Sequence, residues 1–154
     1  MWTTAQRQRL FLEHQLLQRQ GLDQFGVYHD RAQDRYDVLG TAVTNAGRSY
    51  DLWIPIPPRY PDSRPPLYVL RPNPLRTASN GTVNEIGLSH QMHTLTPGPG
   101  NVVQICHWRD DRWHAAITLD RVLIKGLIWL EAYEQHLATG RSIDSFVTTM
   151  REAR

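Results

Sequence analysis

The sequence predicts an α+β domain: an opening helix, antiparallel strands, a long loop and closing helices. Three observations carry the prediction. Positions 4–20 hold leucines at helical spacing among Gln and Arg, with Gly21 at the stop. Short apolar runs broken by turn residues fill positions 25–70. Leu123, Leu127, Leu130, Tyr133 and Leu137 then repeat with helical period. Strands grouped ahead of helices, rather than alternating with them, give α+β architecture.

The opening helix runs from Thr4 to Gln20, with Thr3 or Thr4 as its cap. Leu10 and Leu17, widened by Leu12 and Leu16, form its expected buried stripe. Phe25 to His29 and Tyr36 to Thr44 read as strands, and Asn45-Ala46-Gly47 as the turn that follows. Ser49 to Ile56 alternates Tyr50, Leu52, Ile54 and Ile56 on one face, the pattern of a half-buried strand. Trp53 then points to the opposite face, where exposure would make it a partner surface. Pro57 and Pro58 end this strand, since proline removes a ladder donor. The stretch to Pro66 is a rigid loop that sets how the sheet meets the next segment. Leu67 to Leu70 resumes a strand. Positions 75–101 show no period, and so long a loop in a compact domain is usually functional. Thr118 or Asp120 caps a helix to about Ala138, with Gly140 at its stop. Val122, Ile124, Ile128 and Trp129 broaden its buried stripe. Ser142 caps a last short helix through Phe146 to Met150.

A length of 154 residues suits one domain, 1–154, with its own core. A formal charge of +2 and the absence of any basic run argue against nucleic acid as a partner. No apolar run approaches the roughly 20 residues needed to span a bilayer, and no charged-then-apolar leader opens the chain. The expectation is a cytoplasmic protein without a membrane partner. Lys125 is the sole lysine among 17 basic residues. Composition bias explains this simply. A protein that handles activated acyl groups would also benefit from few amines of its own.

Cys106 is the single cysteine, so no internal disulfide is available and packing or chemistry must account for it. It follows the Gly/Pro-rich loop Thr96-Pro97-Gly98-Pro99-Gly100. The thiolate is the reactive form, and nearby cations favour it. His107, Arg109 and Arg112 can act in that sense, while Asp110 and Asp111 oppose it. The competing reading is a small buried hydrophobe. His90 and His93 lie upstream. Together with Cys106 they admit a zinc site by ligand type. The favoured assignment has no metal and no cofactor: one of these histidines supports the loop through a backbone hydrogen bond and the other is exposed. Trp108, Trp113 and Trp129 read as core or rim aromatics.

Tyr50-Asp51-Leu52-Trp53-Ile54-Pro55-Ile56-Pro57, then Tyr60-Pro61, Pro65-Pro66 and a further strand, resembles the central sheet of ubiquitin-conjugating enzymes. Cys106 falls where that family places its catalytic cysteine after a long loop, and Trp113 and Thr118-Leu119 match the tryptophan and helix start that follow. Trp129-Leu130-Glu131-Ala132-Tyr133-Glu134, with His136, Thr139 and Gly140, is similar to the bacterial branch, encoded in anti-phage CBASS operons or bacterial ubiquitin-like conjugation operons. The resemblance runs from the first helix to Gly140.

The resemblance implies a ubiquitin-conjugating fold with an antiparallel meander sheet. It implies a transferase that carries an acyl group as a thioester on Cys106. The partners it implies are an activating enzyme, the C-terminus of a ubiquitin-like protein or of a cyclic-oligonucleotide synthase, and a target lysine. In this family the opening helix, which here carries Arg7, Arg9 and Arg19, docks the activating enzyme; the competing reading is an ordinary solvated face. The chain departs from the eukaryotic His-Pro-Asn tripeptide, having Thr96-Pro97-Gly98 there, and has His107 where leucine is usual. The oxyanion donor must therefore come from Asn101, a backbone N–H of the Gly98–Asn101 loop, or His107. Asp110 or Asp111 would orient the incoming lysine, or stand simply as solvated charges. Two alternatives remain at this point: a catalytically inactive interaction module of the same fold, and a His/Cys zinc protein.

Overall fold

Thr3 starts the first helix, α1 (Thr4–Arg19), through a reciprocal cap. Its hydroxyl accepts the Gln6 N–H while the Gln6 side chain accepts the Thr3 N–H. Two N–H groups that a helix start leaves unpaired are thereby satisfied. The computed structural model describes residues 1–152, with side chains through residue 147. The buried face of α1 is Leu10, Glu13 and Leu17. This corrects the expected stripe. Leu12 is exposed and Leu16 only half-buried, because positions 10, 13 and 17 share one helical face. A carboxylate, not a leucine, completes that face.

Six strands form one antiparallel sheet in the order β1-β2-β3-β4-β6-β5. They are β1 (Phe25–Asp30), β2 (Arg35–Val43), β3 (Ser49–Pro55), β4 (Leu67–Arg71), β5 (Thr94–Leu95) and β6 (Val103–Ile105). The alternation in β3 holds: Tyr50, Leu52 and Ile54 are buried. Across the ladder Val38 faces Ile54, Leu52 faces Val69, and Leu67 faces Ile105. Inward residues of neighbouring strands therefore meet as cross-strand pairs, which set the register. Trp53, on the other face, is half-buried beside Tyr68, and its indole N–H donates to Asp37.

Gly40 of β2 lies opposite Phe25. A Cβ there would sit 2.4 Å from the Gln24 carbonyl and 2.4 Å from the Phe25 ring. Neither the backbone of Gln24 nor the buried ring can step aside. Gly40→Ala is expected to cost about 2 kcal/mol by overpacking. Urea denaturation would read this as a lowered midpoint with unchanged slope.

The long segment before Cys106 is not structureless. It contains α2 (Val83–Ile86), with Thr82 and Glu85 forming a second reciprocal cap, and the strand β5. Neither β5 nor β6 was expected. Elements this short carry no readable period, and only pairing with a neighbour defines them.

The main helix, α3 (Leu119–Thr139), lies on the inner face of the sheet. Gly126 marks the approach: a Cβ there would meet Leu67 at 2.8 Å and Leu52 at 3.5 Å. Val122, Leu123, Trp129, Leu130 and Tyr133 are buried as expected, joined by Ala132 and His136. Leu127, Ile128 and Leu137 are half-buried and Ile124 is exposed. Thr118 has the N-cap backbone conformation, but its hydroxyl donates to the Asp120 carboxylate instead of capping. The cap comes from another helix, because Glu13 Oε2 accepts the Leu119 N–H at 2.9 Å. Gly140 ends the helix in the left-handed region (φ +75°), its N–H on the His136 carbonyl, as an αL stop requires. The last helix, α4 (Ile143–Glu152), packs against α3. Among the described residues no helix is long and apolar enough to cross a membrane.

Candidate active site

Ile105 ends β6 with its side chain fully buried, and Cys106 follows, half-buried at the corner of the sheet. The Cys106 N–H donates to the His93 carbonyl at 2.9 Å. This continues the register in which Thr94 faces Ile105. The loop from 87 to 93 is thus tied to the cysteine by backbone, and Cys106 is neither sealed in the core nor loose on the surface.

His107 is buried and engaged at both ring nitrogens. Nε2–H donates to the Pro65 carbonyl at 2.7 Å, and Nδ1 accepts the Trp108 N–H at 2.9 Å. Only a neutral ring with the proton on Nε2 can do both. Burial is the main cause that lowers its pKa to about 4, reinforced by the charges of Arg64 and Lys125 and opposed by the Pro65 bond and Asp110. The ring therefore supplies neither a cation for the thiolate nor a free donor for an oxyanion. The expected catalytic role of His107 is replaced by a scaffolding one.

Asn101 also moves out of the site. It lies before β6 with φ +60°, exposed, and its carbonyl accepts from Asn84. Extended chain from Val102 to Cys106 spans about 13 Å at the usual rise per residue, beyond the reach of an asparagine side chain. The N–H groups of Gly98 and Asn101 are already spent on the carbonyls of Val102 and Gly98. The Gly98–Asn101 loop instead covers the outer face of the sheet, where a Cβ on Gly98 would press on the Tyr68 ring.

His90 is exposed, as one of the pair was expected to be, but the ring of His93 is buried and meets a carboxylate instead of the expected backbone group. His93 Nε2 lies 2.6 Å from Asp144 Oδ1 on α4, and the Asp144 N–H donates to the Gln91 carbonyl. His93 is strained at φ +51°, an uncommon conformation for a non-glycine residue. Its backbone holds Cys106 while its ring holds α4. The zinc alternative is not assembled: among the described residues no group of three or more His, Cys, Asp or Glu is placed to hold a metal ion.

Downstream, Asp110 and Asp111 open a single 3₁₀ turn. Both are exposed and paired, Asp110 with Arg64 Nε at 2.5 Å and Asp111 with Arg109 at 2.9 Å. The Arg64 side chain is largely buried. Trp113 Nε1 donates to the Pro61 carbonyl, so the proline-rich loop is pinned to the cysteine segment at Pro61, Arg64 and Pro65. From the other side Lys125 of α3 donates to the His107 carbonyl at 2.9 Å and lies 3.6 Å above the Trp108 ring.

Lys125, Arg64 and Asp144 thus join the site although nothing in the local sequence around Cys106 signals them. Two clefts lie elsewhere. One, of about 370 Å³, runs between the β2–β3 turn and α3 near Glu131 and Glu134; the other, of about 380 Å³, is on the outer sheet near Tyr28 and Thr41. Cys106 lines neither. Compared with protein-family models, curated proteins and solved structures, the chain matches none of them.

Proposed function

We propose that the chain is a cysteine-dependent acyl transferase of the ubiquitin-conjugating type, with Cys106 as its nucleophile. The observation that carries this reading is the setting of Cys106. It is half-exposed at the end of β6, its own N–H is held by His93, and the next residue is held by Pro65 and Lys125. A half-exposed cysteine whose backbone is fixed in position suits repeated thioester formation. The order of helix, antiparallel sheet, cysteine segment and closing helices is compatible with the ubiquitin-conjugating fold, and that finer assignment belongs to the same reading.

In this reaction the Cys106 thiolate attacks the C-terminal carbonyl that an activating enzyme delivers; the new C–S bond forms as the bond from that carbonyl to its activating group breaks, and the activating group leaves with the enzyme that brought it. The donor is a ubiquitin-like protein or a cyclic-oligonucleotide synthase, in cytoplasmic anti-phage defence. A target lysine then attacks the thioester, forming an amide and releasing the thiolate. Asp110, exposed beside the cysteine segment, is the carboxylate that would meet the incoming ammonium.

Incubation with activating enzyme, ATP and donor is expected to give an adduct on the wild-type chain that thiol reagents cleave. Cys106→Ala should give none. Persistence of the adduct in that variant overturns the assignment. A second reading has its own support: His107 is fully engaged and Asn101 remote, so both expected oxyanion side chains are absent from the cysteine. An inactive interaction module of this architecture would bind the same partners and form no adduct in the wild type.

A further inference from the structure

The one side-chain amine of this chain is bound to the backbone of the residue that follows its one thiol. Lys125 is the sole lysine, and its Nζ is 2.9 Å from the carbonyl of the residue that follows Cys106. It also lies 3.6 Å from the centre of the Trp108 ring, with Arg121, one helical turn earlier on α3, 5.5 Å from the same centre. The Trp108 ring is edge-on to His107 and Trp113, which fix its plane. An indole face attracts the ammonium, not the free amine. A carbonyl acceptor likewise favours the group that carries more protons. An amine attacks a thioester only as the free base.

From this geometry we infer that Lys125 is a positioning residue whose amine is withheld. It secures the Cys106–Trp108 segment as an ammonium, and so does not capture the acyl group carried on Cys106. The inference rests on Cys106 as the acyl carrier for its second half. The capture it prevents is a defined step. Nζ, after giving one proton to solvent, would attack the thioester carbonyl; a C–N bond would form, the C–S bond would break, a second proton would leave the nitrogen for solvent and the thiolate would be regenerated. That product is a dead end, because an amide does not pass its acyl group onward.

The test has two arms. In the first, folded protein is treated with a sulfonated N-hydroxysuccinimidyl acetate and acetylation is mapped by mass spectrometry. Lys125 is expected to label about tenfold more slowly than in Trp108→Leu, which keeps an apolar side chain but removes the π face. Trp108→Phe, with a weaker face, should fall between, and far-ultraviolet circular dichroism identifies any variant that has lost its fold. Equal labelling of Lys125 in wild type and both variants overturns the inference. This arm needs no acylation of Cys106. In the second arm a short peptide C-terminal thioester is offered as probe. Wild type should carry only a hydroxylamine-labile adduct on Cys106, whereas Trp108→Leu should add a resistant amide on Lys125. A resistant amide on Lys125 of the wild type overturns the withholding. No adduct on Cys106 in any variant overturns the nucleophile assignment and the protective half of the inference, and the first arm still decides whether the amine is held.

Discussion

Glu13→Ala is expected to destabilise the folded chain by about 3 kcal/mol, at the lower end of the cost of removing one partner from a buried ionic network. The Glu13 side chain is 1% exposed and serves three groups. Oε1 accepts from Arg9 Nε at 2.7 Å and from the Tyr60 hydroxyl at 2.5 Å, and Oε2 accepts the Leu119 N–H. Truncation leaves the fully buried Tyr60 hydroxyl and the first N–H of α3 without an acceptor. An unsatisfied buried donor costs its full desolvation. The carboxylate also faces the positive end of the α3 dipole. Arg9 is partly solvated, which keeps the effect from the top of the range. Glu13→Gln retains an acceptor but turns a donor toward another donor, so it should be destabilising by less than the alanine change. Urea denaturation of both variants checks this order; an alanine variant as stable as wild type would contradict it. Tyr60 adds a signature. Burial first, then the Glu13 charge, raises its pKa above the usual value. The folded chain thus holds that proton when the unfolded chain has lost it, and stability declines as pH rises beyond about 10.

The second large effect is acid destabilisation through His107. An unfolded chain protonates this ring near pH 6.5, whereas in the folded chain burial delays protonation to about pH 4. Between these values the unfolded state binds the extra proton, so each step down in pH favours unfolding. Above pH 6.5 the contribution is complete, and below about 4 both states are protonated and nothing further is lost. A difference of one pKa unit is worth about 1.4 kcal/mol, so roughly 3 kcal/mol is at stake in this window. His107→Gln keeps a donor for the Pro65 carbonyl and cannot be protonated there. It should flatten the stability profile between pH 6.5 and 4 relative to wild type. Parallel profiles for the two proteins would show that the ring is not buried neutral.

Much of the architecture was legible because it depends on period and punctuation. The alternation in β3, the cap at Thr3, the turn at Gly47 and the stop at Gly140 are local signals, and each sits where the sequence places it. What escaped is what only three dimensions define. Glu13 interrupts an apolar stripe and looks like a surface residue until Tyr60 and Leu119 are brought to it. β5 and β6 become strands only by pairing with each other and with β4. At the candidate site the exposure of His90 was readable. The roles given to Asn101 and His107 were not, because proximity in sequence was taken for proximity in space. An extended strand carries Asn101 away, and both nitrogens of His107 are taken up by backbone groups of Pro65 and Trp108. Lys125 reaches the cysteine segment, and Asp144 the His93 whose carbonyl holds it, from helices whose own patterns say nothing of either contact.

Helices ordinarily begin to melt at their tips. In α3 neither tip is available for that: Glu13 holds the start, and at the finish the His136 ring bridges the Arg141 carbonyl and the Ala78 N–H. Fraying therefore has no loose end from which to propagate. The long rod behind the sheet opens only when its neighbours let go with it, so heating should dismantle helix and sheet together in one step rather than unzip the rod turn by turn.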